Sequence, residues 1–181
     1  GRRLFVAALA AASLVACGVT AVQQLDEPPP VASLRPDPAL RLHGHNDYLQ
    51  PVPCTRALEL GLGSIEADVF PVDGELLVGH ERWQLRAGRT LRSLYLEPLA
   101  ARARLGPLRS DGAPLVLLVD FKANGREALH LLRRELEPCS DLLTRCVDGR
   151  IEPGRITVLL SGARPVAEVT AENDRLYALD G

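Results

Sequence analysis

Leu115-Val116-Leu117-Leu118-Val119 is a short apolar run without alternation, closed by Asp120-Phe121-Lys122. A strand with one wet face alternates; an unbroken run marks a strand buried on both faces, the signature of a parallel sheet covered by helices. Four further runs have strand character: Leu40–His43, Ser64–Phe70, Ile156–Leu160 and Arg175–Leu179. A smaller one, Leu76–Val78, follows the turn signal Asp73-Gly74. Helical patterns lie between them at Thr55–Leu62, Leu91–Ala103, Arg126–Leu136 and Ala163–Glu172. Strands alternating with helices predict an α/β fold with a parallel sheet, either open and doubly wound or a TIM (β/α)₈-type barrel. In both, ligand residues gather at the C-terminal ends of the strands. No Gly-x-Gly-x-x-Gly or Walker-type loop follows a strand, which argues against a nucleotide fold.

The amino-terminal segment reads as an address. Arg2 and Arg3 precede the apolar run Leu4–Ala16, too short to span a bilayer comfortably. It ends in Leu14-Val15-Ala16-Cys17, which resembles a bacterial lipobox, with Cys17 as the lipidated residue. The alternatives are ordinary cleavage nearby or an uncleaved anchor. Residues 1–22 are therefore expected to be a signal peptide or lipoprotein signal. Residues 23–39, with Pro28-Pro29-Pro30, Pro36 and Pro38, are expected to be an extended tether. The expected setting is outside the cytoplasm, on a bacterial cell envelope as a membrane-anchored lipoprotein, or secreted. In an oxidising compartment Cys139 and Cys146 could close a small loop, and Cys54 is left as a buried free thiol. No Cys-x-x-Cys pair supports structural zinc. The formal net charge is −2 and no basic block occurs, so nucleic acid is not an expected partner.

The polar residues fall at the ends of the predicted strands. The first strand runs into His43-Gly44-His45-Asn46-Asp47, the hairpin into His80-Glu81, and the third strand into Asp120-Phe121-Lys122. Glu66 and Asp68 are two apart in a strand and share a face, while Ile65, Ala67 and Val69 take the other. Two carboxylates side by side repel, so a buried pair needs a cation or a shared proton. Asp120 adds a third oxygen ligand, and three hard ligands suit Mg²⁺ or Ca²⁺ better than zinc. The competing reading puts Glu66 and Asp68 on a solvated edge; the repeat of the pattern in Asp120-x-Lys122 weighs against it. His43 and His80 alone would be ordinary polar surface, but beside these carboxylates they favour chemistry. His130 belongs to a helix surface. His45 would contact phosphate or cap its loop.

The set His43-Gly44-His45-Asn46-Asp47-Tyr48, Ser64-Ile65-Glu66-Ala67-Asp68-Val69, Leu77-Val78-Gly79-His80 and Val119-Asp120-Phe121-Lys122 resembles the phosphatidylinositol-phospholipase-C-like phosphodiesterase superfamily. Glycerophosphodiester phosphodiesterases and sphingomyelinase D relatives share this order. The His-x-His-Asn-Asp-Tyr opening is most similar to the altered-inheritance-of-mitochondria protein 6-like branch. The resemblance covers roughly residues 40–122. It implies a TIM barrel, one divalent ion held at Glu66, Asp68 and Asp120, and acid–base catalysis by His43 and His80. It also implies that Lys122 sits near the substrate phosphate; His45 and Asn46 are further candidate substrate contacts. The substrate class would be a glycerophosphodiester, a lysophospholipid or a related lipid head group. Many glycerophosphodiesterases carry His-Arg-Gly where this chain has His43-Gly44-His45, so the arginine that would grip phosphate is missing.

A TIM barrel takes about 250 residues. Residues 40–181 offer five barrel strands, so the phosphodiesterase domain is expected to be the N-terminal part of a longer barrel, present as a monomer. The alternatives are a non-catalytic, metal-stabilised cell-surface binding domain of the same fold, or a metal enzyme of another barrel family. The latter would want a His-x-His metal pair, which His43 and His45 offer, and further histidines on later strands, which are missing.

Overall fold

The computed structural model describes residues 42–181. The signal segment, Cys17, the tether and the start of the first predicted strand lie outside the described residues. The main sheet contains β1 (His43–Gly44), β2 (Ser64–Val72), β3 (Glu75–Val78), β4 (Leu115–Phe121), β7 (Ile156–Gly162) and β9 (Ala178–Leu179). Its order is β1-β2-β4-β7-β9, each neighbouring pair parallel. The hairpin strand β3 runs antiparallel to the upper half of β2. A small antiparallel sheet joins β5 (Arg145–Val147), β6 (Arg150–Glu152) and β8 (Asp174–Arg175) in the order β6-β5-β8. The α/β class with a mostly parallel sheet is as expected. Among the described residues the sheet is open and forms no closed barrel.

The helices are α1 (Thr55–Glu59), α2 (Glu97–Leu105), α3 (Gly125–Leu136) and α4 (Val166–Thr170). On α3, Ala128, Leu129, Leu132 and Leu136 lie on one stripe and pack toward β2 and β3. Together with Leu99 and Ala103 of α2, they meet Ile65, Ala67, Val69, Leu117, Val119 and Phe121 in one apolar core.

Several predicted elements change shape. α1 is shorter than Thr55–Leu62 because Gly61 leaves the helical region at φ +72°. The predicted Leu91–Ala103 helix opens as a π turn over Arg92–Leu96 before α2; Pro98, which has no N–H for the preceding turn, sits at the changeover. α4 begins only after Pro165. The predicted strand Arg175–Leu179 splits between the two sheets, because Tyr177 turns into the core and holds Glu172 and Arg133 with its hydroxyl. Nor is β4 buried on both faces: Val116 and Leu118 are half-buried, as are Thr157 and Leu159 beside them on β7.

Cys139 and Cys146 remain free thiols rather than closing a loop. The Cys139 thiol is committed to the Leu136 carbonyl at 3.3 Å. Cys54 is the expected buried thiol, pushed up to about 12 by burial and then by nearby Asp47.

Candidate functional site

The register of β2 against β4 sets Asp68 directly beside Asp120, and β1 against β2 sets His43 beside Ser64. In-register residues of parallel neighbours share a face, so Glu66, Asp68 and Asp120 converge. One oxygen from each lies within 4.8 Å of the others, and all three residues are buried. Gly162 on β7 closes the far side. It has φ +67°, and a Cβ there would stand 2.2 Å from Asp120 Oδ1, so only glycine fits.

Asp68 is 0% exposed and its two oxygens differ. Oδ2 accepts the Tyr48 hydroxyl at 2.7 Å and His80 Nδ1 at 2.7 Å, and meets Lys122 Nζ at 3.1 Å. Oδ1 is buried without any partner. A buried carboxylate oxygen left bare costs on the order of 1–3 kcal/mol or more unless something fills the place.

His80 stands at the end of the β3 hairpin. Because Asp68 accepts, Nδ1 carries the proton and Nε2 is left as the free nitrogen, on a ring that is 47% exposed. Gln84 accepts the backbone N–H of both His80 and Glu81, fixing the turn. His43 Nδ1 lies 2.9 Å from Ser64 Oγ, and its Nε2 lies 4.0 Å from Glu66 Oε2. His45 Nε2 is 3.4 Å from the same oxygen and the ring is largely exposed. The Asn46 N–H also donates to Glu66 Oε2, at 3.1 Å, from a left-handed residue at φ 51°. His130 is exposed on α3, as expected.

Lys122 is turned inward. Its Nζ sits 2.5 Å from Asp120 Oδ2 and 3.1 Å from Asp68 Oδ2. Partial burial works against its charge, but the bonds to Asp120 and Asp68 outweigh it and hold the ammonium above its ordinary range. One ammonium against three carboxylates leaves two negative charges to be matched. With the bare Oδ1 and an all-oxygen donor set, the residues fit a hard divalent cation.

Sequence reasoning missed the supports of this cluster: Tyr48, Asp47, Ser64, Gln84, Tyr95 and Gly162. Burial raises the Asp47 carboxyl, partly offset by the Cys54 N–H that it accepts at 2.6 Å. The Tyr95 hydroxyl donates to the Glu66 carbonyl at 3.2 Å from a fully buried ring. Asp47, Tyr48 and Ser64 carried a signal only as members of the quoted motif strings; Gln84, Tyr95 and Gly162 carried none. A separate apolar cavity of about 410 Å³, lined by Pro114, Cys146, Thr157 and Tyr177 among others, includes none of the carboxylate-site residues.

The fold and site thus define an α/β chain with a histidine-flanked carboxylate cluster on an open sheet face. Residues 35–104 match the profile of the AIM6-like phosphodiesterase domain, which indicates a phosphodiesterase-like domain. The chain is 36% identical over 164 residues to the altered inheritance of mitochondria protein 6 homolog of Arthroderma benhamiae, covering 77% of this chain and 52% of that protein. It is 33% identical over 171 residues to altered inheritance of mitochondria protein 6 of Eremothecium gossypii, covering 83% of this chain and 42% of that protein. To the protein of that name from Lachancea thermotolerans it is 48% identical over 147 residues, covering 69% and 34%. The chain spans about half the length, or less, of these curated relatives. The matches support the altered-inheritance-of-mitochondria branch of the resemblance. The relatives are fungal, so they lend no support to a bacterial envelope, a lipoprotein or a signal peptide. No solved structure matches the chain. Among the described residues no helix is long and apolar enough to cross a membrane.

Proposed function

We propose that this chain carries the site of a metal-dependent phosphoric diester hydrolase of the phosphatidylinositol-phospholipase-C-like type, with the open sheet as one flank of a (β/α)₈-type barrel. The observation that carries the reading is the bare, fully buried Oδ1 of Asp68 inside a three-carboxylate cluster. Glu66, Asp68 and Asp120 would hold one Mg²⁺ or Ca²⁺. Bound there, the ion would supply Lewis-acid stabilisation of charge on the phosphoryl oxygens.

The chain's own residues divide the remaining work. His80 presents Nε2 outward because Asp68 occupies Nδ1, and Asp68 stabilises the imidazolium when Nε2 takes up a proton. It is assigned as the acid that protonates the leaving oxygen. His43, on the other side of Glu66, is assigned as the base toward the attacking hydroxyl. Lys122 contributes positive charge at the cluster, and released from Asp68 and Asp120 it would meet a phosphodiester anion. His45 and Asn46, both on the β1 loop at Glu66, would line the substrate side. The substrate class is a glycerophosphodiester, a lysophospholipid or a related lipid head group.

The test is hydrolysis of bis-p-nitrophenyl phosphate, glycerophosphocholine and lysophospholipid by the full-length protein, with and without EDTA. Turnover that EDTA abolishes and Mg²⁺ or Ca²⁺ restores is expected. Turnover indifferent to EDTA, or none on any phosphodiester, would sink the reading.

A further inference from the structure

We propose that Tyr48 is a positioning residue that acts through Asp68, committing Oδ2 to His80 and leaving Oδ1 for the cation. The inference rests on the metal-site reading above and deepens it. A carboxylate oxygen offers two in-plane lone pairs. Yet Asp68 Oδ2 is approached by three donors while Oδ1, equally buried, has none. Free rotation of the carboxylate would share these donors between the two oxygens. Something must hold it in the unequal setting.

Two of the three donors are poorly suited to that task. His80 is half exposed on a hairpin end, and Lys122 reaches from a flexible stem that Asp120 also holds. Tyr48 is different. Its ring is buried in the core, and Arg89 Nη2 donates to its carbonyl at 2.8 Å, so its hydroxyl arrives at Asp68 from a fixed direction.

The phenol has one proton and two neighbours, Asp68 Oδ2 at 2.7 Å and the Asn46 side-chain amide at 2.8 Å. The anionic acceptor takes the proton because charge-assisted bonds are the stronger. Asn46 Oδ1 stands beside the same hydroxyl as its second acceptor. The resulting chain runs from the β1 loop through Tyr48 to Asp68, and from Asp68 to the His80 tautomer. It ties the loop that carries His45 and Asn46 to both the metal ligand and the acid.

The test uses Tyr48→Phe in the full-length protein, which keeps the buried ring and removes only the hydroxyl. Two readouts do not depend on turnover: Mn²⁺ affinity by calorimetry, and the His80 tautomer by ¹⁵N-histidine NMR of the metal-free protein. Removal of a group that orients a ligand usually lowers metal affinity about 10-fold or more. A loss of that size is expected, with His80 shifting from Nδ1–H to a tautomer mixture and kcat falling more than KM rises. Arg89→Ala, which frees the tyrosine backbone but leaves the phenol, is the second variant should the first not fold. It moves both readouts the same way by less. Wild-type Mn²⁺ affinity and an unchanged tautomer in whichever variant folds would overturn the inference while leaving the metal site standing. A wild-type chain that binds no Mn²⁺ would overturn the metal reading together with it.

Discussion

The two faces of the main sheet are made by the same strands through the same alternation, yet they answer to different forces. On the helix-covered face, Ile65, Ala67, Val69, Leu117, Val119 and Phe121 are buried against α2 and α3 in one cluster. On the other face, Val116, Leu118, Thr157 and Leu159 are half-buried, and above them stand Glu66, Asp68 and Asp120. The first face is held by apolar area removed from water, which tolerates no gap and needs no direction. The second is held by directional bonds to Glu66 Oε2, Asp68 Oδ2 and Asp120 Oδ2, while the buried Oδ1 of Asp68 has no partner. The contrast teaches that the core and the candidate site are separated here by residue parity: odd positions of β2 and β4 face the core, and Glu66, Asp68 and Asp120 lie at even positions.

That separation can be broken experimentally. The largest expected effect is on the covered face. Leu117→Ala should cost about 2–5 kcal/mol of stability, the usual range for a buried leucine. A urea titration measures it, and a loss below about 1 kcal/mol would contradict the parity rule. His80→Ala, on the other face, should lower phosphodiester turnover by about 10²-fold or more while leaving the urea midpoint nearly unchanged. Wild-type turnover in that variant would remove His80 from the chemistry. Lys122→Met should tighten Mg²⁺ or Mn²⁺ binding several-fold, because the ammonium and the cation compete for the same two aspartates, and should slow turnover at the same time. Weaker metal binding in the variant would show that Lys122 supports the ion rather than competing with it. Leu118→Ala should cost less than half of what Leu117→Ala costs, since its face is half open.

The smallest effect concerns pH. Burial, then Asp47, raises the Cys54 thiol from 9.0 to about 12. A neutral buried acid of this kind contributes stability that is fully present below pH 9 and is lost as pH rises toward 12. At pH 8 the folded chain should therefore leave Cys54 unmodified by iodoacetamide while half-buried Cys146 reacts. Equal labelling of the two would show that the loop over Cys54 opens readily.

The site was more legible than the architecture around it. Strand phase put Glu66 and Asp68 on one face, because the two-residue period of a strand is a local property. The apolar run ending in Asp120 located a strand tip for the same reason. The supports were not legible. Tyr48 sits in a one-turn 3₁₀ segment over Asp47–Leu49 whose direction is set by Arg89, 41 residues on. Gly162 matters only because β7 lies against Asp120. The strand expected at Arg175–Leu179 failed because local β propensity could not register that Tyr177 has partners in Arg133 and Glu172. The inward turn of Lys122 was hidden as well, since the sequence shows a charge beside a charge but not which way a flexible stem points.

What the sequence by itself determined is the alternation: which residues of β2 and β4 share a face, where each strand ends, and which side chains could ligate a hard cation. These follow from backbone periodicity and side-chain chemistry, which act over a few residues. What the tertiary structure alone decided is adjacency. The pairing of β2 with β4, across the intervening β3 hairpin and α2, set Asp68 beside Asp120. It also brought Tyr48, His80 and Lys122 onto a single carboxylate oxygen and left its twin bare. Contacts between residues tens of positions apart depend on how whole elements pack, and no local pattern carries that information.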